Sequence, residues 1–378
     1  MALNRVVRIA GVLVASAAFV AACGSSTATT APSAAPASAA PSVAAASAAP
    51  SAAASAVASA APAGSAAANA TLPPVTLSKD ITIGVAFPQI DTFLSTVRDG
   101  MQAEADKISA ATGHKITLNI QQAYQNGQED PALQLSQVET FVTSGVAAII
   151  IIPVDTSAAQ PMSDAAAKAN IPVVYVNRNP KIAGNPYVGS DSLLSGTLEM
   201  TQLAKDAKAT IATTDPSYKG NVVILEGQTN NEAAVLRTQG CNDVVKQNPG
   251  MQVTKTQSGN WMRDQGMSIM ENWLQSGDQI DIVCANNDEM ALGAIKAIAA
   301  ANMTGKILVG GVDATADALA AMKAGTLDTT VFQNGKGQGS GGIDAAVLMA
   351  GGQAAAVPSY VDVPYVLVTK DNMSQFGG

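Results

Sequence analysis

Residues 281–299 read DIVCANNDEMALGAIKAIA, a short apolar run that ends in two amides and two carboxylates and passes at once into an amphipathic helical pattern. An apolar run this short, rich in β-branched residues and followed by a helix, suits a strand covered on both faces. In an open α/β sheet, ligands sit beyond the carboxyl ends of the parallel strands, where Asn286, Asn287, Asp288 and Glu289 stand. Asn and Asp at such a junction also cap helices, because their side chains accept from the first free amides. The other junctions of the chain decide between a cap and a site.

Working outward, the same pattern recurs. Residues 81–87, 115–121, 147–152, 172–176, 221–225, 252–256, 281–285, 306–309 and 328–332 read as strands. Amphipathic segments at 93–111, 132–143, 158–169, 232–247, 263–275 and 316–323 lie between most of them. Strand followed by helix, repeated, predicts a parallel sheet with helices on both faces. The pattern starts twice, at Ile81 and at Asn221, so the fold class is α/β with two Rossmann-like, doubly wound lobes and a cleft between them.

The N-terminus carries a different message. Arg5 and Arg8 precede an apolar stretch from Ile9 to Val20, and Ala21 and Ala22 lead to Cys23, the layout of a secretory signal over residues 1–22. The apolar core is too short to span a bilayer comfortably. Cys23 followed by Gly24 and Ser25 resembles a bacterial lipoprotein processing site, which implies a lipid on the cysteine and membrane attachment by that anchor alone. From Gly24 to about Pro74 the chain is almost wholly Ala, Ser, Pro and Thr, so residues 23–76 are expected to be a disordered tether. As a flexible coil its roughly 50 residues would span about 40 Å.

Composition narrows the function. The 378 residues carry a net charge of −8 with no basic stripe, which argues against nucleic acid. Cys241 and Cys284 are the cysteines left after Cys23, and they form a disulfide or stay as free thiols according to their separation in space.

Following each strand to its end assembles a candidate site. Asp91 and Phe93 follow the first strand, Asn177 and Arg178 the fourth, Asn287 the run at 281–285, Asp313 the run at 306–309, and Gln333 the run at 328–332. Arg237 lies in the helix after residue 225, and Trp261 in the polar loop SGNWMRD. Capping does not account for Arg178, Phe93 or Trp261. Sugar hydroxyls both donate and accept, so carboxylates, amides and guanidinium groups together suit a polyol, and aromatic rings cover its C–H faces. Two carboxylates against two guanidinium groups favour a neutral ligand. Asp288 and Glu289 are read as capping or supporting groups, and Trp273 as core.

These junctions carry a resemblance. Residues 93–100 (FLSTVRDG), 176–180 (VNRNP), 231–240 (NEAAVLRTQG), 286–293 (NNDEMALG), 310–313 (GGVD) and 331–334 (VFQN) resemble motifs of the periplasmic sugar-binding proteins of ABC importers, the ribose and galactose group, over residues 79–372. Asp91 and Asn177 depart from the ribose pattern, and with Trp261 are nearer the galactose pattern, without its acidic calcium loop. YVNRNP with NEAAVLRTQG and NWMRDQGM is most similar to inositol or rhizopine binders. The resemblance implies a type I periplasmic binding fold: residues 77–190 plus 335–362 as the N-terminal lobe and 191–334 plus 363–378 as the C-terminal lobe, hinged near Asp191, Gly335 and Asp362. It implies a monomeric extracytoplasmic binding protein, without cofactor or metal, that carries myo-inositol or a related cyclitol to the transmembrane subunits of an ABC permease. A galactose, ribose or xylose type of ligand, or a sensing receptor without transport, is the alternative.

An enzyme is disfavoured, since the single histidine, His114, has no acid or nucleophile beside it and no metal-ligand spacing is present. Gly337, Gly339 and Gly342 fit GxGxxG, but little chain follows for a βαβ unit, and a glycine-rich hinge or turn is the expectation. A repressor of similar fold would need a DNA-binding headpiece where the signal and tether stand.

Overall fold

The computed structural model describes residues 72–209 and 219–377. The signal segment 1–22, Cys23 and the tether as far as residue 71 lie outside the described residues. The chain runs β1 (Ile81–Phe87), α1 (Thr92–Thr112), β2 (Ile116–Gln122), a hairpin of β3 (Tyr124–Gln125) and β4 (Gln128–Glu129), α2 (Pro131–Thr143), β5 (Ala148–Ile151), α3 (Gln160–Lys168), β6 (Val173–Val176) and β7 (Tyr187–Gly189). It continues through α4 (Ser192–Ala209), β8 (Asn221–Glu226), α5 (Glu232–Lys246), β9 (Gln252–Ser258), α6 (Arg263–Gln275), β10 (Ile282–Ala285), α7 (Asp288–Ala300), β11 (Leu308–Gly310), α8 (Ala316–Ala324) and β12 (Thr330–Phe332). Last come α9 (Gly335–Ala350), β13 (Tyr360–Asp362) and β14 (Val366–Val368).

The strands form two parallel sheets, in the orders β13-β7-β6-β5-β1-β2 and β11-β10-β8-β9. Parallel bridges Gly310–Thr329 and Asp313–Phe332 carry the second sheet on toward β12, which pairs antiparallel with β14. The chain passes between the sheets three times, after β7, after β12 and after β13. In each sheet the first strand lies between the second and third, so the winding direction reverses at β1/β5 and at β8/β10. Those reversals open the crevices in which open α/β sheets hold ligands.

Burial explains why these runs are strands. Ile149, Ile150 and Ile151 of β5 and Ile282, Val283 and Cys284 of β10 are fully buried, as strands packed on both faces must be. Each such side chain contributes about 1.5–3 kcal/mol. The edge strands β2 and β9 keep polar, partly exposed side chains instead. Trp273 packs in the second-lobe core, as expected, and His114 is a surface residue 3.7 Å from Asp80 Oδ1. Cys241 and Cys284 are bonded, tying α5 to β10.

The glycines at 337, 339 and 342 correct one expectation. They lie inside the helix α9 and are neither hinge nor turn. A Cβ on Gly339 would stand 2.1 Å from Val97 O, and one on Gly100 would stand 2.3 Å from Lys336 O, so these residues let α1 and α9 approach backbone to backbone. Periodicity misses α9 because a helix face made of glycine has no apolar stripe to read.

Candidate ligand cleft

The first turn of α1 illustrates how one residue serves fold and site. Asp91 is the N-cap, its Oδ1 accepting from Leu94 N at 2.7 Å. A carboxylate has a second oxygen, so capping leaves acceptor capacity for the cleft. Burial raises its pKa, opposed by the Leu94 amide and by the positive charge of Arg178. Asn287 divides its amide similarly: Oδ1 caps α7 at Met290 N, 3.1 Å, and Nδ2 donates to Trp261 O at 3.1 Å. The polar knot at 286–289 is therefore both cap and wall. Asp288 accepts from Thr315 N and Thr330 Oγ1, and Glu289 pairs with Arg263 at 2.8 Å, so both support neighbouring loops.

Arg237 is the centre of the second-lobe wall. It is 4 % exposed, and its Nη1 donates to Asn286 O at 2.6 Å. Its Nη2 donates to Gln333 Oε1 at 2.8 Å and to Tyr365 Oη at 2.9 Å. Asp313 Oδ1 lies 4.0 Å from Nη1, and the rings of Trp261 and Tyr365 flank the guanidinium at 5.7 and 5.9 Å. Burial raises the Asp313 pKa well above the carboxylate range, against the pull of Arg237. Asp313 sits at φ 125°, and Asn260 and Trp261 at φ 51° and 68°, so the loops that carry the site are bent into left-handed backbone. Tyr365 and Gln333 stand where the chain crosses between sheets, which ties the site directly to the connections between the lobes.

On the first-lobe wall, Asn177 adopts φ 67° and donates from Nδ2 to Gln338 Oε1 at 3.0 Å. Arg178 donates to Pro153 O at 3.0 Å. Phe93 is half-buried against the first-lobe core, and Trp261 against that of the second.

The structure brings all nine sequence-predicted residues to one cleft: Asp91, Phe93, Asn177, Arg178, Arg237, Trp261, Asn287, Asp313 and Gln333. Leu94, Asn231 and Ala233 line it as well. Sequence reasoning passed over Asn231, although it opens the NEAAVLRTQG motif and caps α5 by accepting from Ala233 N at 3.0 Å. It also missed Tyr365, which lies in a connection without periodicity. Three buried donors of the lining, Asn231 Nδ2, Arg237 Nε and Trp261 Nε1, have no hydrogen-bond partner. A buried unpaired donor costs about 1–3 kcal/mol, which acceptor hydroxyls of a ligand would recover.

Two sheets of reversed winding, three crossings and a polar, aromatic cleft between them describe one family, and residues 83–354 match the model of the periplasmic binding protein domain. The chain belongs to that family. Family members are solute-binding proteins that work outside the cytoplasm. A protein of Rhizobium meliloti named for rhizopine binding is 41 % identical over 306 residues, covering 79 % of this chain and 93 % of that protein. A xylitol-binding protein of Mycolicibacterium smegmatis is 33 % identical, covering 77 % of this chain and 78 % of its own. Among solved structures, an ABC transporter solute-binding protein from Bacillus halodurans with bound myo-inositol superposes with a TM-score of 0.71 at 37 % identity, covering 79 % of this chain and 98 % of that one. This binding protein thus shares the type I fold with solute-binding proteins of ABC transporters. Among the described residues no helix is long and apolar enough to cross a membrane.

Proposed function

We propose that this protein is the extracytoplasmic solute-binding lipoprotein of an ABC-type importer and that it delivers a neutral cyclitol, myo-inositol or a related inositol or rhizopine, to the permease. The observation that carries this reading is the composition of the cleft. It mixes carboxylate, amide and guanidinium groups with Phe93 on one wall and Trp261 on the other, which suits a ring with hydroxyls on its edge and C–H bonds on its faces. The named relatives for rhizopine and with bound myo-inositol support the same choice.

In this reading the nine residues contact the ligand, residues 77–190 plus 335–362 and 191–334 plus 363–378 move as two lobes, and the three crossings flex as the cleft closes on its ligand and excludes water. A lipid on Cys23 and the tether hold the monomer near the permease. Thermal shift and calorimetry of the purified protein against myo-inositol, other cyclitols, xylitol, galactose, glucose, xylose and ribose test it. A ligand that binds the native state alone raises Tm, and more so as its concentration exceeds Kd. Selective stabilisation by a cyclitol is expected; stabilisation by another sugar with none from cyclitols overturns the ligand choice.

A further inference from the structure

Behind the first-lobe wall stands a carboxylate that the junction pattern does not include. Glu129, on the β3–β4 hairpin, places Oε2 3.5 Å from Arg178 Nη1, and the two side chains are 9 % and 6 % exposed. Its Oε1 accepts from Gln89 N at 3.1 Å, in the loop that leads to Asp91. Oε2 is buried and has no hydrogen-bond partner, so its negative charge is left to act on Arg178. Neighbouring acidic groups are engaged elsewhere: Asp288 with Thr315 and Thr330, and Glu289 with Arg263. The acidic groups at the cleft are therefore Asp91 and Asp313, whose ionisation burial opposes, and Glu129, set against Arg178 and Arg237. This adds a carboxylate to the balance read from the sequence, and placed beside Arg178 it opposes a second negative charge brought in by a ligand.

We infer that Glu129 determines the charge specificity of the cleft: by occupying Arg178 from behind, it keeps that guanidinium as a donor to neutral hydroxyls and excludes sugar acids. A guanidinium without a counter-ion in a desolvated site is a bidentate receptor for carboxylates. Glu129 supplies the counter-ion from within the protein, 3.5 Å from the same Nη1 that donates to Pro153 O, so a ligand's carboxylate would meet a guanidinium already balanced in charge. The inference rests on the neutral-polyol reading of the site.

Calorimetry of the wild-type protein, Glu129→Gln and Glu129→Asp with myo-inositol and with D-glucuronate tests it. Glutamine keeps the size and the acceptor for Gln89 N while removing the charge; aspartate keeps the charge. The ratio of glucuronate to myo-inositol affinity is expected to rise about 100-fold in Glu129→Gln and to stay near the wild-type value in Glu129→Asp. A merely structural role would weaken both ligands together and leave the ratio unmoved, which overturns the inference. If the amide does not fit the buried position and the melting curve shows an unfolded protein, Glu129→Ser removes the charge with less bulk and must move the ratio the same way; an unmoved ratio there is equally decisive against it. Failure of the wild type to bind any neutral polyol would overturn the underlying reading, and with it this inference, before any variant is compared. Wild-type binding of myo-inositol with an unmoved ratio overturns only the role of Glu129.

Discussion

On the second-lobe wall Arg237 directs three hydrogen bonds at its own neighbours and is flanked by two rings and a carboxylate, whereas on the first-lobe wall Asp91 uses one oxygen for a cap and keeps the other for the cleft. The first arrangement is a plate assembled before ligand arrives. The second is a set of groups held one by one at the ends of strands, with capacity in hand. Preassembly lowers the ordering cost of binding, and spare capacity is what a ligand can use. The difference predicts that damage to the two walls will be read out differently, in stability on one side and in affinity on the other.

The largest effect should come from Arg237→Ala. Removing it strands Asp313, Gln333 and the Tyr365 hydroxyl, so binding should fall about 1,000-fold and unfolding free energy by about 3–5 kcal/mol, measured by calorimetry and by urea melts. Asp91→Ala should lower affinity about 100-fold but cost only about 1 kcal/mol, the value of a lost N-cap. Equal stability losses in the two variants would erase the contrast between the walls. Trp261→Ala should weaken binding about 10-fold by taking the ring from one face of the ligand, with a partial loss of stability from its contact with the second-lobe core. A matching Phe93→Ala variant compares the opposite face, and a Trp261 effect confined to stability would remove that residue from the site.

The smallest expected effect concerns the contact between the walls. Glu232, at the start of α5, faces the Asn179 amide and Lys181 of the first lobe, and burial pushes its pKa up to about 7, opposed by Lys181, the Asn179 amide and Arg237; Asp191 adds a repulsive charge. A carboxyl whose folded pKa is raised favours the folded state most when protonated, so this stability is present at low pH and is lost as pH rises from about 4 through 7. Glu232→Gln should flatten the dependence of Tm on pH between 5 and 8 and raise Tm at pH 8 by about 2–4 °C. An unchanged slope would mean that Glu232 does not titrate across the lobe contact.

Much of this architecture was legible because its strands are apolar runs that end in polar residues. Residues 81–87 and the helix at 263–275 follow the expected bounds, and the two starts at Ile81 and Asn221 correspond to the first strand of each sheet. The strands β7, β13 and β14 escaped notice because three residues hold no period, and α9 because glycine carries its packing face. At the site, residues at strand ends could be found from their position in the pattern. Glu129 and Tyr365 could not, since one sits on a two-residue strand and the other in an aperiodic connection, and each acts through an arginine already counted. The charge of the cleft therefore had to be read from the arrangement of side chains.

The most direct test of a single cleft built by both lobes is calorimetric titration of myo-inositol into the wild-type protein, Asp91→Ala and Arg237→Ala under conditions where both variants remain folded. Saturable binding to one site in the wild type, lost or weakened by orders of magnitude in each variant, is the predicted result. Wild-type affinity retained in either variant would contradict it.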